Sequence, residues 1–228
     1  MSFSDPDAVA RYADTLIRQV PGVQALHQMA HVLLAERVRP AGRVLVLGAG
    51  GGMELRAFAE ASPGWHFTGV DPSAEMLALA TNALGNLSSR VELIQGYIED
   101  APAVAFDGAT CLLTLHFLSR EERLRTLREL RRRLAPGAPL VVAHHSVPRD
   151  PDEKRAWFHR WAAFVTARGI AGESAEARAE AIASRLPTLA PDEEVALLEQ
   201  AGFERPALFY AALSFRGWVA YAGQAQPG

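Results

Sequence analysis

The chain has little of what marks a secreted, membrane-spanning or nucleic-acid-binding protein. It contains one cysteine, Cys111, so no internal disulfide can form, and a reducing, cytoplasmic setting is expected. The net charge of −3 gives no overall attraction to nucleic acid or to an anionic membrane. No stretch approaches the roughly 18 consecutive apolar residues of a spanning helix. The N-terminus also lacks the basic and apolar regions of a signal peptide. We therefore expect neither a membrane partner nor a nucleic-acid partner.

What the chain does contain is enough apolar sequence for one complete domain. Of its 228 residues, 49% are hydrophobic, which suffices to bury the core of an α/β fold. No internal repeat and no low-complexity linker divides it. We therefore expect residues 1–228 to form a single domain.

The rest of the sequence is organised around one glycine-rich turn. Val44–Leu47 are consecutive apolar residues, a pattern typical of a strand buried on both faces of a parallel sheet. Glycines follow at 48, 50 and 52, and 53–61 reads as a helix. Backbone can approach a ligand closely at such a turn, and the helix N–H groups point toward it. The residue after the last glycine is methionine, whereas the dinucleotide fingerprint requires glycine or alanine there, so a nicotinamide cofactor is disfavoured.

A carboxylate follows the next predicted strand. Residues 65–71 read as that strand, and it ends in Asp71. An acidic side chain at this place can accept hydrogen bonds from both hydroxyls of a ribose. Taken alone, the glycine-rich turn could be a plain tight turn, and Asp71 could simply cap the next helix. Together they favour a ligand that contains a nucleoside.

Four segments resemble the class I S-adenosylmethionine-dependent methyltransferases. They are residues 44–52, 69–77, 134–142 and 198–203, and the resemblance extends in order from about residue 40 to 222. It implies an α/β, Rossmann-like fold with a seven-stranded, mostly parallel sheet, helices on both faces and a C-terminal antiparallel hairpin. One departure is Val46, because the family usually has an acid there that helps to hold the amino-acid end of the ligand. Another group must do this here.

The resemblance implies S-adenosylmethionine as cofactor and S-adenosylhomocysteine as product. Tyr97 and Ile98 fall where the family contacts adenine, and an aromatic and a branched side chain could sandwich a purine. Two core residues at a loop edge are the alternative. The predicted cofactor-binding residues are Gly48, Ala49, Gly50, Gly52, Asp71, Pro72, Met76, Tyr97, Ile98 and Thr114.

Three histidines are candidates for the chemistry. His116 follows the fourth predicted strand, and His144 and His145 end the fifth, so all lie at the edge where ligands of parallel sheets bind. Because side chains alternate along a strand, only one of the last two can face the cleft. If the acceptor must lose a proton, histidine is suited to remove it near neutral pH, and His116 is the first candidate, with His144 or His145 second. Each could equally be a structural histidine.

Helical segments flank the predicted sheet on both sides. Residues 1–40 are expected to form an N-terminal helical cap, with Tyr12 near the cleft, and residues 150–189 an inserted helical lid. An exposed aromatic surface on that lid could serve a homodimer. Residues 119–134 read as a helix with an arginine-rich face, which i,i+4 pairs with glutamate suggest is solvated and not a nucleic-acid surface. No metal site is expected.

A closer similarity is to the carboxy-S-adenosylmethionine synthases of tRNA modification. It is carried by residues 17–22, 114–118 and 201–219. That pattern has an asparagine where Leu112 falls here and an arginine that pairs the extra carboxylate, and neither Arg178 nor Arg185 aligns clearly with it. An unpaired buried carboxylate is costly. A methyltransferase for a small-molecule acceptor is therefore expected. A synthase of this kind and a non-catalytic S-adenosylmethionine-binding protein are the alternatives.

Overall fold

The computed structural model describes residues 12–170 and 174–223 and is built on one seven-stranded sheet. The strand order is β3-β2-β1-β4-β5-β7-β6. Strands β1 to β5 run parallel, and β7 pairs antiparallel with both β5 and β6. This confirms the predicted Rossmann-like sheet with its C-terminal hairpin. The strands are β1 (Arg43–Leu47), β2 (His66–Asp71), β3 (Val91–Gln95), β4 (Gly108–Leu112), β5 (Pro139–His145), β6 (Phe203–Ala212) and β7 (Phe215–Ala222).

Helices connect the strands and cover both faces of the sheet. Among the described residues, none of them combines the length and the apolar character needed to cross a membrane. The α-helices are α1 (Tyr12–Gln19), α2 (Val23–Ala35), α3 (Met53–Ala61), α4 (Ala74–Leu84), α5 (Arg120–Arg132), α6 (Pro151–Ala167), α7 (Ala175–Arg185) and α8 (Pro191–Gln200). The predicted start of the first helix, before Tyr12, lies outside the described residues.

Local sequence explains where several helices begin. Ser119 and Glu122 form a reciprocal capping box at the start of α5, and the Asp150 side chain accepts two backbone N–H groups at the start of α6. Proline occupies the first position of α6 and of α8, where its missing N–H costs no hydrogen bond. The breaks before these helices are therefore encoded locally.

Alternate residues of β1 serve two separate cores. Val44 and Val46 pack in the cluster under α2, α3 and α6, whereas Leu45 and Leu47 pack in the cluster under α5 and α8. All four are buried. Burial on both faces explains why this strand has no polar residue between its ends.

One polar residue on α5 was placed wrongly by the helical pattern. Arg123 was predicted on the solvated arginine face, but its side chain is fully buried and forms an ion pair with Glu194 of α8. The other predicted feature of this face is present in part. Glu129 pairs with the exposed Arg132 at 2.5 Å, which fits a solvated, salt-bridged surface. It also pairs at 2.7 Å with Arg133, which was predicted on the same face but is buried.

Candidate active site

The turn after β1 can be made only by glycine at its critical positions. Gly48 has a φ of 79°, and a Cβ there would lie 2.0 Å from the Thr114 hydroxyl. Gly52 has a φ of 78°, and a Cβ there would lie 2.8 Å from the backbone of Ala80 on α4. The first glycine lets β1 approach the end of β4, and the last lets α3 pack on α4.

The carboxylate of Asp71 holds this turn in place. Its Oδ2 accepts the Gly50 N–H at 2.8 Å, and its Oδ1 accepts the Ser73 N–H at 3.0 Å. The residue ends β2 and is almost completely buried. Each oxygen keeps a further lone pair that could accept a ligand hydroxyl.

A first cavity of about 170 Å³ opens between this turn and α1. Of the predicted cofactor residues, it is lined by Gly48, Ala49, Gly50, Asp71, Pro72, Met76 and Thr114. The structure therefore gathers seven of the ten predicted residues around one space. The prediction did not include Leu16, His27, Gly51, Met53, Glu54, Ser73, Leu112, Leu113 and Phe117, and it named Tyr12 only as near the cleft.

Three predicted cofactor residues lie elsewhere. Gly52 serves the packing of α3 on α4, as its close approach to Ala80 shows. Ile98 is 3% exposed within the core under α5, because residues 98–100 form a short 3₁₀ turn that directs it inward. Tyr97 is 65% exposed and does not line the cavity. The predicted purine sandwich between Tyr97 and Ile98 is therefore not formed.

Glu54 brings a buried carboxyl to the first cavity. The side chain is 7% exposed, and its Oε1 has no hydrogen-bond partner. Burial raises the pKa of Glu54 to about 8, against a smaller opposing effect of the Thr110 hydroxyl nearby. Neither Oε1 of Glu54 nor Oγ1 of Thr110 reaches ordinary hydrogen-bond geometry. A buried acceptor without a partner is rare and suits a site that binds a cation.

A second cavity, of about 200 Å³, adjoins the first. Four residues, Tyr12, Leu16, Leu113 and Phe117, line both. Leu113 has a φ of 58°, a left-handed conformation that is unfavourable for leucine and is held where the two cavities meet. The remaining lining residues are Gln19, Val20, His116, His145, Trp161, Ile182, Leu186 and Phe215.

His116 lies on the second cavity as a neutral imidazole. The His145 N–H donates a hydrogen bond to its Nδ1 at 3.3 Å, so Nδ1 carries no proton and the hydrogen is on Nε2. Burial, together with His145, His144 and Arg123, lowers the pKa of His116 well below its ordinary value. In this state Nε2 is a hydrogen-bond donor and not a base. The geometry therefore disagrees with the predicted role of His116 as the first-choice base.

The other two histidines point to opposite faces of β5, as their alternation predicts. His145 lines the second cavity, stacks on Phe215 with ring centres 3.9 Å apart, and lies 2.9 Å from Oγ of Ser214 through its Nδ1. Burial first, and then His144, lowers the pKa of His145 to about 3. His144 instead lies 3.0 Å from the Glu194 carboxylate in the core under α8 and lines neither cavity. The position of His144 therefore disagrees with its predicted role as a catalytic residue.

No arginine or lysine of the described residues lines either cavity. Arg178, one of the two arginines considered from the sequence, donates to Thr166 Oγ1 and to the Ile170 carbonyl within the α6–α7 pair. Arg185, the other, is exposed at the end of α7. The second cavity is thus uncharged at neutral pH and largely aromatic and aliphatic.

The fold and this glycine turn are similar to those of the class I methyltransferases, and the comparisons with known proteins show the same likeness. Residues 44–137 match the family model described as a methyltransferase domain. An O-methyltransferase family protein from Burkholderia thailandensis has the same fold, with a TM-score of 0.70 at 16% identity over 97% of this chain and 61% of that one. A chain of the Haloferax volcanii complex between the Trm112 methyltransferase activator and a methyltransferase gives 0.67 at 18% identity over 98% of both chains.

Sequence similarity points to one branch within that class. The carboxy-S-adenosyl-L-methionine synthase of Chromohalobacter salexigens is 28% identical over 95% of this chain and 82% of its own length. The resemblance to class I S-adenosylmethionine-dependent methyltransferases, with closer similarity to this branch, is therefore confirmed. The expected cofactor, S-adenosylmethionine, agrees with the comparisons.

Proposed function

We propose that this chain transfers the methyl group of S-adenosylmethionine to a small, uncharged acceptor. The observation that carries the proposal is the pair of adjoining cavities. One contains the glycine turn and the carboxyl groups of Asp71 and Glu54, and the other contains aromatic side chains and two neutral imidazoles. The two cavities share lining residues, such as Leu113 and Phe117, so two ligands bound in them would lie side by side.

The residues of the first cavity fit this cofactor. Backbone at Gly48 and Gly50 leaves room for a close ligand, and Asp71 retains lone pairs for ribose hydroxyls. The unpaired Oε1 of Glu54 suits a cationic group. When bound, the cofactor supplies a methyl group on a positively charged sulfur, which is already reactive. The protein then has to align the acceptor and exclude water.

The second cavity indicates the kind of acceptor. Trp161 and Phe215 supply flat apolar walls, and no described cation or carboxylate is present to pair a charged substrate. A small planar molecule with a hydroxyl or ring nitrogen would pack between these two aromatic side chains. His116 would donate a hydrogen bond to it from Nε2, and His145, whose pKa of about 3 makes it a poor base, would orient it by accepting a hydrogen bond.

The test is a screen for turnover of planar phenols and heteroaromatic amines, followed by detection of S-adenosylhomocysteine. Aromatic acids of matched size serve as the charged controls. We expect neutral acceptors to be methylated and His145→Phe, which keeps a flat ring, to lose most of that turnover. Turnover of the acids alone would overturn the proposal, as would tight cofactor binding without turnover of any acceptor.

A second function, synthesis of carboxy-S-adenosylmethionine, is favoured by the similarity that covers 95% of this chain. It requires a site for an additional carboxylate. Because no described arginine or lysine lines either cavity, we expect S-adenosylmethionine to bind at least about tenfold more tightly than its carboxylated form. Mass spectrometry of the co-purifying ligand and competitive titration test this. A preference for the carboxylated form would establish the second function instead.

A further inference from the structure

We propose that Glu54 receives the cationic amino group at the amino-acid end of the cofactor. This carboxyl comes from α3 and replaces the acid that the methyltransferase family usually carries on β1, where this chain has Val46. The inference rests on the proposed function, since it requires S-adenosylmethionine in the first cavity. It adds an anchoring group that the sequence pattern did not predict.

The sheet register relates Glu54 to Val46, the position at which the family usually has an acid. Val46 is directly opposite Thr110 in the pairing of β1 with β4. The Thr110 hydroxyl also acts on the Glu54 carboxyl, since it lowers the pKa of Glu54 against the larger effect of burial. A carboxyl from the first turn of α3 therefore reaches the same pair of strands from which the usual acid would project.

Among the acidic residues of this cavity, Glu54 is the one with an unpaired oxygen. Both oxygens of Asp71 accept backbone N–H groups, whereas Oε1 of Glu54 is buried without a partner. Leaving a buried acceptor unpaired costs stability, so a ligand that supplies a donor gains affinity from it. An ammonium group supplies three donors and a charge.

The groups around Glu54 make its ionisation depend on the ligand. Tyr12 of α1, Asp71 of β2, Cys111 of β4 and His27 of α2 are the titratable neighbours on the elements packed around it. None of them is a cation, because burial lowers the pKa of His27 to about 4. With a pKa of about 8, the carboxyl is mostly protonated at pH 7 before a ligand binds. Binding of a cation should therefore release this proton.

The first experiment compares two ligands that differ at the amino-acid end. S-adenosylhomocysteine carries that end, and 5′-methylthioadenosine does not. We expect Glu54→Gln to weaken S-adenosylhomocysteine about 10- to 100-fold and to leave 5′-methylthioadenosine within about twofold. Glu60→Gln, an exposed change on the same helix, is the matched control and should alter neither ligand. Equal weakening of both ligands, or of neither, would overturn the inference.

The second experiment measures proton release by calorimetry at pH 7 in buffers of different ionisation enthalpy. Wild type should release most of one proton on binding S-adenosylhomocysteine, and Glu54→Gln should release almost none. Identical release by both proteins would exclude Glu54 as the responding group. Failure of wild type to bind any of these ligands would instead remove the proposed function, so the two failures are distinguishable.

Discussion

The backbone N–H of His145 donates a hydrogen bond to Nδ1 of His116 across 3.3 Å. This contact joins the end of β5 to the short 3₁₀ turn that follows β4. It fixes the orientation of one imidazole on the second cavity and assigns its proton to Nε2. The histidine that the sequence favoured as a base is thereby made a hydrogen-bond donor.

We expect nitrogen NMR of the imidazole rings to show His116 as the Nε2–H form at every pH from 6 to 8. Burial, first of all, lowers its pKa well below the ordinary value, so it gains no proton in that range. The Nδ1 shift should be that of an unprotonated nitrogen accepting a hydrogen bond, and His116→Gln identifies the signal. A change of charge within this range would contradict the assignment.

Substitution of Gly48 by alanine should destabilise the protein by about 2–4 kcal/mol. Two effects add, because the φ of 79° is unfavourable for alanine and its Cβ would lie 2.0 Å from the Thr114 hydroxyl. Gly85→Ala is the matched control, with a φ of 53° and open space around the new Cβ. Urea unfolding of both variants separates the two effects. Equal losses of unfolding free energy would show that the close approach to Thr114 is unimportant.

The buried pair of Arg123 and Glu194 should dominate the stability of the α5–α8 contact. Removing one partner leaves an uncompensated buried charge, so Glu194→Gln should cost about 3–5 kcal/mol at pH 7. Asp192→Asn, in the exposed pair with Arg149 on the same helix, should cost no more than about 1 kcal/mol. Urea unfolding measures both. A smaller loss for Glu194→Gln than for Asp192→Asn would contradict this view.

The same carboxyl gives this effect a pH dependence. Burial alone would raise the pKa of Glu194, but His144 and Arg123 beside it bring the pKa below the ordinary 4.5. The stabilisation is therefore present above pH 4.5 and is lost as the pH falls through the folded-state pKa. The difference between wild type and Glu194→Gln should shrink below pH 4.5.

Glu54 should produce the opposite pH dependence. Its folded-state pKa of about 8 lies above its ordinary value of 4.5, so the folded chain binds more protons than the unfolded chain between these limits. The contribution of Glu54 to the free energy of unfolding is then full below pH 4.5 and falls by up to about 1.4 kcal/mol per pH unit as the pH rises toward 8. Unfolding free energies from pH 5 to 8 should decline less steeply in Glu54→Gln, with Glu60→Gln as control. Parallel pH profiles for Glu54→Gln and wild type would contradict the burial of a neutral carboxyl.

Much of the sheet could be predicted because its signals are local. Val44–Leu47 and the glycines after it specify a buried strand and a turn within nine residues. The position of Asp71 at the end of β2 follows from the same short-range pattern. Each of these elements depends on side chains that lie next to one another in the sequence.

The features that the sequence did not predict depend on contacts between residues that are distant in the sequence. Arg123 pairs with Glu194, which lies 71 positions away in the sequence, so the helical pattern alone predicts that Arg123 is exposed to solvent. Glu54 reads as a polar residue in the first turn of a helix, and only the packing of that helix in the folded chain shows that it lines a cavity. The inward turn of Ile98 likewise comes from a 3₁₀ turn that has no strong sequence signal.

The most direct test of the account is calorimetric titration of wild type and Asp71→Ala with S-adenosylmethionine. Wild type should bind, and the variant should lose about 1.5–3 kcal/mol of binding free energy, because Asp71 would accept ribose hydroxyls as well as the Gly50 N–H. Asp107→Ala is the control, since this carboxylate also accepts a backbone N–H but lies at the opposite edge of the sheet. No binding by wild type, or equal binding by wild type and Asp71→Ala, would contradict the assignment of the first cavity to this cofactor.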